Sequence, residues 1–396
     1  MKPNYQAIDQ KHYLPTYKRF PLTIVKGEDS YVWDDQGNKY IDALAGIAVS
    51  SLGHNHPDIV KTISEQAKKL IHISNFYLTP PQAELTQKLV DLSGLDRVFF
   101  GNSGAEANEG ALKIARKYAH AHQRGGEIIS FEGCFHGRTM ATIAMGKKAM
   151  QKGFEPIPEG FTMVPFNDLK AVREAITEKT AAIIVEPVQG EGGIHLAKKD
   201  FLQGLRKICD KHNIVLIFDE IQCGMGRTGH FFAKDYFEVQ PDILTSAKAL
   251  GSGVPVSAII TNEKVSETLS PGDHGTTFGG NALATATALK TIEVMEHEKL
   301  REAAQEKGCW FMTTVEERNP ASIGIKEMRG LGLMIGLEFD MEAKPIVEEM
   351  MKRGVIANAT AENVLRIVPP LNISYEDLGK VIDIIFESAK EIRKNV

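Results

Sequence analysis

The chain has 396 residues, of which 43% are apolar and 24% are charged, a composition typical of a globular protein with two or three domains rather than a disordered chain. The net charge of -5 at pH 7 argues against a surface that mainly binds nucleic acid. No apolar stretch is long enough to cross a membrane, and the first residues do not resemble a secretion signal, so we expect a cytosolic protein without membrane contacts.

The apolar pattern predicts a hairpin followed by alternating helices and short strands. Residues typical of strands flank a turn at 35–38 and predict a hairpin over 31–44. Short apolar strands that alternate with helices indicate a mostly parallel sheet covered on both faces. In chain order, the predicted elements after the hairpin are helices at 58–71 and 81–92, a strand at 97–100, a helix at 105–121, strands at 127–131 and 181–187, a helix at 200–212, and strands at 214–220 and 242–245.

The pattern changes in the last quarter of the chain. A long helix is predicted at 283–306, and a final helix begins near 375 with Ser374 as its N-cap. Apolar segments at 331–339 and 364–371 flank a further helix between them, at 342–353. We therefore predict an α/β protein with a large sheet domain and a smaller α+β domain. The predicted boundaries are an N-terminal segment at 1–50 that packs with the small domain, a large domain at 51–285 and a small domain at 286–396.

The cysteine and histidine patterns indicate neither a metal site nor a disulfide framework. The four cysteines are far apart and form no CxxC pair. His54 and His56 lie close together, but their segment, GHNHP, is typical of a turn that leads into a helix at Pro57. We expect no bound metal.

Two predicted strands end in residues that suit a ligand site. Strand 214–220 closes with Asp219 and Glu220, and Lys248 lies just past strand 242–245 and is followed by glycines. Because ligands of open α/β sheets bind at the carboxyl ends of the strands, these side chains are expected to face one crevice. Each also has an ordinary explanation, since a carboxylate can cap a helix and a loop lysine can simply be solvated.

A third candidate feature is the segment 101–106, which joins strand 97–100 to an alanine-rich helix. Ser103 and Glu106 match a capping box. The same helix N-terminus can bind a phosphate through its free N–H groups, and Gly104 permits close approach of a ligand. The two explanations are compatible, because a capped helix still offers other N–H groups.

The glycine-rich segment 224–229 matches the GxGxxG pattern of dinucleotide sites but lacks their context. Such a site requires a helix directly after the glycines, whereas HFFAKDYF follows here. A lysine, a carboxylate and a phosphate cradle together instead suggest pyridoxal phosphate. That cofactor needs a lysine that bonds to its aldehyde, a carboxylate that keeps its pyridine nitrogen protonated, and a phosphate site.

The sequence resembles the class III aminotransferases of fold type I. The resemblance extends from near residue 15 to the C-terminus and implies a pyridoxal-phosphate enzyme with a seven-stranded, mostly parallel sheet in its large domain. It is carried by the ordered segments AGIAVSSLGHNHP, FFGNSGAEANEGALKIAR, FHGRT, VEPVQGEGG, IFDEIQCGMGRTG, AKALGSGVP, HGTTFGGN and LRIVPPL.

The resemblance implies a set of cofactor contacts. Lys248 would form the covalent link and transfer protons, Asp219 would pair with the pyridine nitrogen, and Gln222 would contact the ring hydroxyl. Phe135 would stack on the ring, and Thr277 would reach the phosphate from the partner subunit of a homodimer with shared active sites. The phosphate would be bound by Gly104 and Ala105, with Ser103 beside them. Three positions depart from the usual family residues, namely Ser246, Ser252 and Phe278.

Five further residues are implied in substrate binding. Arg138 would bind the substrate α-carboxylate, and Thr276 would touch the substrate. Arg366 would bind the second carboxylate of glutamate or 2-oxoglutarate, and Glu191 would pair with Arg366, either as a gate or as a static ion pair. Ile47 stands where relatives that use free ornithine have a tyrosine, which favours a substrate whose α-amine is acylated.

The implied activity is transfer of the δ-amine of N2-acetylornithine to 2-oxoglutarate, a step of arginine biosynthesis. Transfer from free ornithine, succinylornithine or 4-aminobutyrate is the alternative within the same reaction type. A class III aminomutase or decarboxylase would change the reaction, and a pyridoxal-binding sensor would lack catalysis. Lys248, Asp219 and Arg138 together argue against the sensor.

Overall fold

The computed structural model describes residues 4–394. Its strands are β1 (Ile24–Glu28), β2 (Tyr31–Asp34), β3 (Lys39–Asp42), β4 (Arg97–Gly101), β5 (Glu127–Phe131), β6 (Phe161–Val164), β7 (Thr180–Val185), β8 (Val188–Gln189), β9 (His195–Leu196), β10 (Val215–Asp219), β11 (Ile243–Ser246), β12 (Ser257–Thr261), β13 (Ile325–Leu331), β14 (Met334–Phe339), β15 (Val355–Ile356), β16 (Asn358–Thr360) and β17 (Val364–Ile367). The right-handed α-helices are Tyr5–His12, Pro57–Lys69, Pro80–Ser93, Gly104–Ala121, Met140–Ala144, Leu169–Ala175, Lys199–His212, Ala233–Phe237, Glu263–Ser266, Ala282–His297, Leu300–Glu317, Lys344–Lys352 and Tyr375–Lys394. Within this part of the chain, no helix is both long and apolar enough to cross a membrane.

The largest sheet has seven strands in the order β4-β12-β11-β10-β7-β5-β6. Strands from β11 to β6 pair in parallel, whereas β12 is antiparallel to both β11 and β4. The prediction of a mostly parallel sheet is therefore confirmed. The exception, β12, is a strand that the sequence pattern did not reveal.

Helices cover both faces of this sheet. On one face, Leu216 of β10 packs in the same apolar cluster as residues of the helix Lys199–His212. On the other face, Ile217 packs with residues of the helix Gly104–Ala121. Because both faces are buried, the inner strands have apolar side chains throughout, and polar side chains are placed at the strand ends.

Two smaller sheets contain the N-terminal and C-terminal segments. One is antiparallel, with the order β13-β14-β17-β16. The other, β1-β2-β3-β15, contains the predicted hairpin as β2 and β3, and β15 pairs in parallel with β3. The N-terminal strands therefore share a sheet with a strand from the C-terminal part of the chain. The domain boundaries at 50 and 285 remain predictions.

The predicted long helix at 283–306 is wrong, because the structure contains two helices there. The first ends at His297 and the second begins at Leu300. Lys299 has a φ of 53°, a left-handed conformation that ends the helix path. No glycine or proline stands at the break, and residues of both helices pack in one apolar core, so the apolar pattern continues across it. By contrast, Ser374 caps the last helix as predicted, since its Oγ accepts a hydrogen bond from the Asp377 N–H at 3.0 Å.

Candidate active site

The ends of two neighbouring parallel strands bring Asp219 and Lys248 together. Asp219 is the last residue of β10 and lies opposite Thr245 of β11, which runs directly into Lys248. Asp219 is buried, with 3% of its surface exposed. Arg366 Nη1 donates to Glu191 Oε1 and to Gln222 Oε1, and Gln222 stands three residues after Asp219, so these groups lie beside the same strand end.

Asp219 is held in a fixed orientation by a buried hydrogen-bond network. Its Oδ2 accepts a hydrogen bond from Asn108 Nδ2 at 2.7 Å and lies 2.7 Å from His136 Nδ1, while Oδ1 accepts from the Ile221 N–H at 3.1 Å. Thr245 Oγ1 in turn donates to Asn108 Oδ1 at 2.8 Å. The carboxylate is therefore preorganised toward the crevice.

His136 adds a positive charge beside this carboxylate. Burial lowers the pKa of His136, but the neighbouring Cys134 and Asp219 outweigh burial and raise the pKa well above its ordinary value. His136 is then protonated near neutral pH and donates from Nδ1 to Asp219. His136 therefore presents a positive charge to the Asp219 carboxylate and helps to fix its orientation.

Lys248 has the properties of a nucleophilic amine. Burial and the positive charge of Arg366 lower the pKa of Lys248 to about 8. Its Nζ makes no hydrogen bond or ion pair with any residue that the structure describes. A larger fraction of this amine is therefore uncharged near neutral pH than for an exposed lysine, and the uncharged form is the one that bonds to an aldehyde.

The predicted phosphate cradle is the start of the helix Gly104–Ala121, which packs against the segment that follows Asp219. The Ser103 Oγ accepts a hydrogen bond from the Glu106 N–H at 3.2 Å. A Cβ on Gly104 would lie 2.8 Å from the Ile221 side chain, so glycine allows the helix start to pack against the segment after Asp219. The N–H groups of the first helical turn have no partner within the helix and can bind an anion.

The predicted capping box is only half present. Ser103 caps the helix, but the Glu106 carboxylate accepts from the Asn102 N–H at 2.8 Å instead of from the Ser103 N–H. Asn102 Nδ2 also donates to Glu106 and to Thr276 Oγ1, the latter at 3.2 Å. Thr276 therefore lies beside the phosphate cradle of its own chain. Thr277 is exposed, and its role in a partner subunit remains a prediction.

A buried arginine and a carboxylate form the inner wall of the crevice. Arg366 is fully buried, and its Nη1 donates to Glu191 Oε1 and, at 3.2 Å, to Gln222 Oε1, while its Nε donates to Asn358 Oδ1 at 3.0 Å. Its Nη2 is buried without a hydrogen-bond partner among residues 4–394. Burial raises the pKa of Glu191, but the charge of Arg366 outweighs burial and the pKa is lowered. The pair is thus ionised, and Arg366 has one donor available for a further carboxylate.

A second arginine, Arg138, stands two residues after His136, the residue that contacts Asp219. Arg138 is exposed and forms no ion pair with the described residues, and its guanidinium carbon lies 5.4 Å from the centroid of the Phe135 ring. The Phe135 N–H donates to Glu186 Oε2 at 2.9 Å, and burial raises the pKa of Glu186 to about 7. Arg138 is therefore free to bind a carboxylate.

Glu220 and the glycine-rich segment 224–229 both have structural roles. Glu220 accepts hydrogen bonds from the N–H groups of Ala233 and Lys234, so it caps the helix Ala233–Phe237. The glycines at 224–229 form turns, and that helix does not follow them directly. The segment therefore lacks the direct passage from glycines into a helix that a dinucleotide site requires. Among residues 4–394, no group of three or more His, Cys, Asp or Glu side chains could hold a metal ion.

Comparison with known proteins identifies the family. The model that describes the class III aminotransferases matches residues 13–388, and the chain belongs to this family. Its cofactor is pyridoxal phosphate. The residues described above fit that group, since a lysine of lowered pKa, a buried carboxylate and a helix N-terminus meet in one crevice.

Individual relatives and solved structures are similar to this chain over nearly its whole length. The chain is 52% identical over 394 residues to the acetylornithine aminotransferase of Methanocaldococcus jannaschii, covering 99% of both chains. It is 46% identical over 379 residues to the acetylornithine aminotransferase of Methanothermobacter thermautotrophicus, covering 96% of both chains. The structure resembles the acetylornithine aminotransferase of Elizabethkingia anophelis, with a TM-score of 0.87, 34% identity and 98% of both chains covered. It also resembles the ornithine aminotransferase of Toxoplasma gondii, with a TM-score of 0.95, 34% identity and coverage of 99% of this chain and 96% of that chain.

Proposed function

We propose that the enzyme transfers the δ-amine of N2-acetyl-L-ornithine to 2-oxoglutarate, giving N-acetyl-L-glutamate 5-semialdehyde and L-glutamate. The observation that carries this proposal is the presence of two arginines of different accessibility, Arg138 exposed and Arg366 masked by Glu191. In acetylornithine the single carboxylate lies far from the reacting δ-amine, and Arg138 suits it. Glutamate has a further carboxylate on the carbon that bears its reacting amine, and Arg366 suits that one. The names of the relatives at 52% and 46% identity support the same substrate.

The chain's own residues divide the chemistry between them. When bound, pyridoxal phosphate supplies an electron-accepting ring that stabilises negative charge on the reacting carbon. Asp219 holds a proton on the pyridine nitrogen, with His136 and Asn108 fixing its orientation. The Nζ of Lys248 takes the proton from the substrate carbon that bears the reacting amine. Arg138 binds the α-carboxylate of acetylornithine.

The site-residue assignments extend to the cofactor and the second subunit. We propose that Gln222 and Phe135 contact the cofactor ring, and that Ser103, Gly104 and Ala105 surround its phosphate. Thr277 would complete the phosphate site of a partner subunit, with Thr276 near the substrate. A homodimer is supported by large exposed apolar side chains near this loop, namely Phe76 at 93%, Leu78 at 94% and Phe278 at 62% exposure. The cytosolic location remains a prediction.

A set of parallel assays tests the proposed reaction. Purified holoenzyme would be assayed with acetylornithine, ornithine, succinylornithine and 4-aminobutyrate, each with 2-oxoglutarate. We expect the highest kcat/KM with acetylornithine, and a preference for free ornithine would overturn the proposal. Without 2-oxoglutarate, a transaminase stops after one half-turnover, whereas an aminomutase or decarboxylase continues.

Replacing Glu191 with alanine should separate the two half-reactions. If Glu191 masks Arg366 until 2-oxoglutarate arrives, its removal leaves Arg366 available to glutamate and able to draw the single carboxylate of acetylornithine away from Arg138. The half-reaction with glutamate should become faster and the one with acetylornithine slower, as measured by stopped-flow absorbance. Glu191→Gln, which keeps the shape without the charge, should change both rates in the same directions. Equal losses in both half-reactions would instead identify a purely structural ion pair.

Replacing Ile47 with tyrosine should shift the substrate preference toward free ornithine. Ile47 offers no polar partner for a free α-amine, whereas a tyrosine hydroxyl can accept its hydrogen bond. The ratio of kcat/KM for acetylornithine over ornithine should fall about tenfold, which corresponds to ~1.4 kcal/mol. Ile47→Phe is the matched control, because it adds the ring without the hydroxyl. If the phenylalanine variant shifts the ratio as much as the tyrosine variant, the polar explanation is wrong.

A further inference from the structure

The chain around Ile47 has a backbone conformation that its sequence does not favour. Residues Ala45–Ala48 form one helical turn of left-handed sense, with φ values of 49°, 64°, 68° and 58° in chain order. The turn is closed by a hydrogen bond from the Val49 N–H to the Ala45 carbonyl at 2.8 Å. Only Gly46 adopts such a φ readily, and for a β-branched residue such as Ile47 it is an outlier. Contacts outside the turn must therefore hold it in place.

Asp42 supplies those contacts at the start of the turn. The carboxylate is buried, with 5% exposure of the residue. Its Oδ1 accepts hydrogen bonds from the N–H groups of Leu44 at 2.9 Å and Ala45 at 2.8 Å, and its Oδ2 lies 2.8 Å from His54 Nε2. Asp42 thus fixes the first N–H groups of the turn, and His54 fixes Asp42.

His54 is itself rigidly placed. Its backbone exchanges two hydrogen bonds with Asp29, at 2.7 and 2.9 Å. Its side chain packs against Gly27, where an added Cβ would lie 2.7 Å from the His54 Cβ and Cγ. The pair Asp42–His54 is therefore anchored to the N-terminal strands rather than to a mobile loop.

The turn is tied to the segment that carries Arg366. The Ala43 carbonyl accepts a hydrogen bond from the Val368 N–H at 2.9 Å, just after Arg366 in the chain. On the far side of the turn, the Ser51 carbonyl accepts from the Leu371 N–H at 2.8 Å. The chain on both sides of the turn is therefore bonded to the segment that follows Arg366, and Ile47 between them is half-buried.

We propose that Asp42 and His54 are positioning residues for substrate selection, because they lock the left-handed turn and so fix Ile47 at the wall of the site. The proposal rests on the proposed function, since it takes Ile47 as the side chain that discriminates between the acylated and the free α-amine. An alternative is that the pair serves only the stability of the N-terminal segment. The two roles make different predictions.

Asp42→Ala and Asp42→Asn test the proposal on the holoenzyme. Alanine removes all three hydrogen bonds, whereas the asparagine Oδ1 still accepts from the turn and its Nδ2 can pair with His54. We expect the alanine variant to lower the ratio of kcat/KM for acetylornithine over ornithine about tenfold, through a higher KM for acetylornithine. The asparagine variant should keep most of the wild-type ratio. Should Asp42→Ala not fold, His54→Leu, which removes one bond from a partly exposed side chain, replaces it.

A double-mutant cycle with Ile47→Gly separates positioning from stability. Glycine relieves the left-handed strain, so we expect Ile47→Gly to raise the Tm while lowering the substrate ratio. In this background, Asp42→Ala should lower the Tm again but leave the ratio unchanged, because the side chain to be positioned is gone. An unchanged ratio in folded Asp42→Ala, or the same loss with and without Ile47, would overturn the positioning role. A wild-type preference for ornithine would instead overturn the proposed function itself.

Discussion

Replacing Lys248 with alanine is expected to abolish turnover while the protein still folds and binds pyridoxal phosphate. Lys248 is the group assigned both the covalent link to the cofactor and the proton transfer at the substrate carbon. Loss of general acid–base catalysis alone typically lowers a rate by about 10² to 10⁴-fold. Since the covalent link is lost as well, we expect the activity to fall by at least the upper end of that range, about 10⁴-fold.

The covalent link can be measured separately from the activity. Borohydride treatment of the yellow wild-type holoenzyme should fix the cofactor on a single peptide that contains Lys248, and the alanine variant should take up no label. Lys307 provides a matched control, because burial also lowers its pKa, yet its Nζ donates to the Leu371 carbonyl at 3.0 Å. Lys307→Ala should keep the label and the activity. Label on any other lysine would contradict the assignment of Lys248.

Much of the site could be predicted because it follows from the ends of strands. Asp219 and Lys248 stand directly after apolar runs, and parallel strands place their carboxyl ends at one edge of the sheet. Likewise, Gly104 stands between a strand and a helix, where a phosphate site requires it. These signals are local, so one segment of sequence is enough to recognise each of them.

The remaining parts of the site depend on contacts between distant segments. Asn108 and His136 orient Asp219 from positions 111 and 83 residues away in the chain. Before the structure, Asn108 is one polar residue on an apolar helix face, and His136 is one residue of the FHGRT segment. A buried polar side chain on an otherwise apolar helix face is the one signal that could have identified Asn108, because burial requires it to have a partner.

The same distinction applies to the fold. Elements with a local sequence pattern can be predicted, whereas those that depend on contacts between distant segments cannot. The inner parallel strands β5, β7, β10 and β11 can be predicted from the sequence, since burial on both faces makes them continuously apolar, whereas the equally buried β12 is missed. The left-handed Lys299, which divides the predicted helix in two, has no sequence signal, because lysine does not favour that conformation. The left-handed turn at Ala45–Ala48 is similar, since it depends on hydrogen bonds to Asp42 rather than on its own residues.

Replacing Asp219 with asparagine is expected to lower the rates of both half-reactions by much more than tenfold, that is, by more than ~1.4 kcal/mol of transition-state stabilisation. Asparagine keeps the shape of the side chain but loses the negative charge that holds a proton on the pyridine nitrogen. Without that proton, the ring stabilises negative charge at the substrate carbon less well.

Glu220 provides the control for this substitution, because it is the next residue along the same strand end and is also a buried carboxyl. Burial raises the pKa of Glu220 to about 8, so its uncharged form prevails near neutral pH, and glutamine resembles that form. Its hydrogen bonds go to the N–H groups of Ala233 and Lys234, so Glu220→Gln should mainly lower the Tm. Stopped-flow rates and thermal melting of both variants measure the two effects. A rate loss of less than tenfold in Asp219→Asn, or an equal rate loss in Glu220→Gln, would show that the charge of Asp219 is not what drives the reaction.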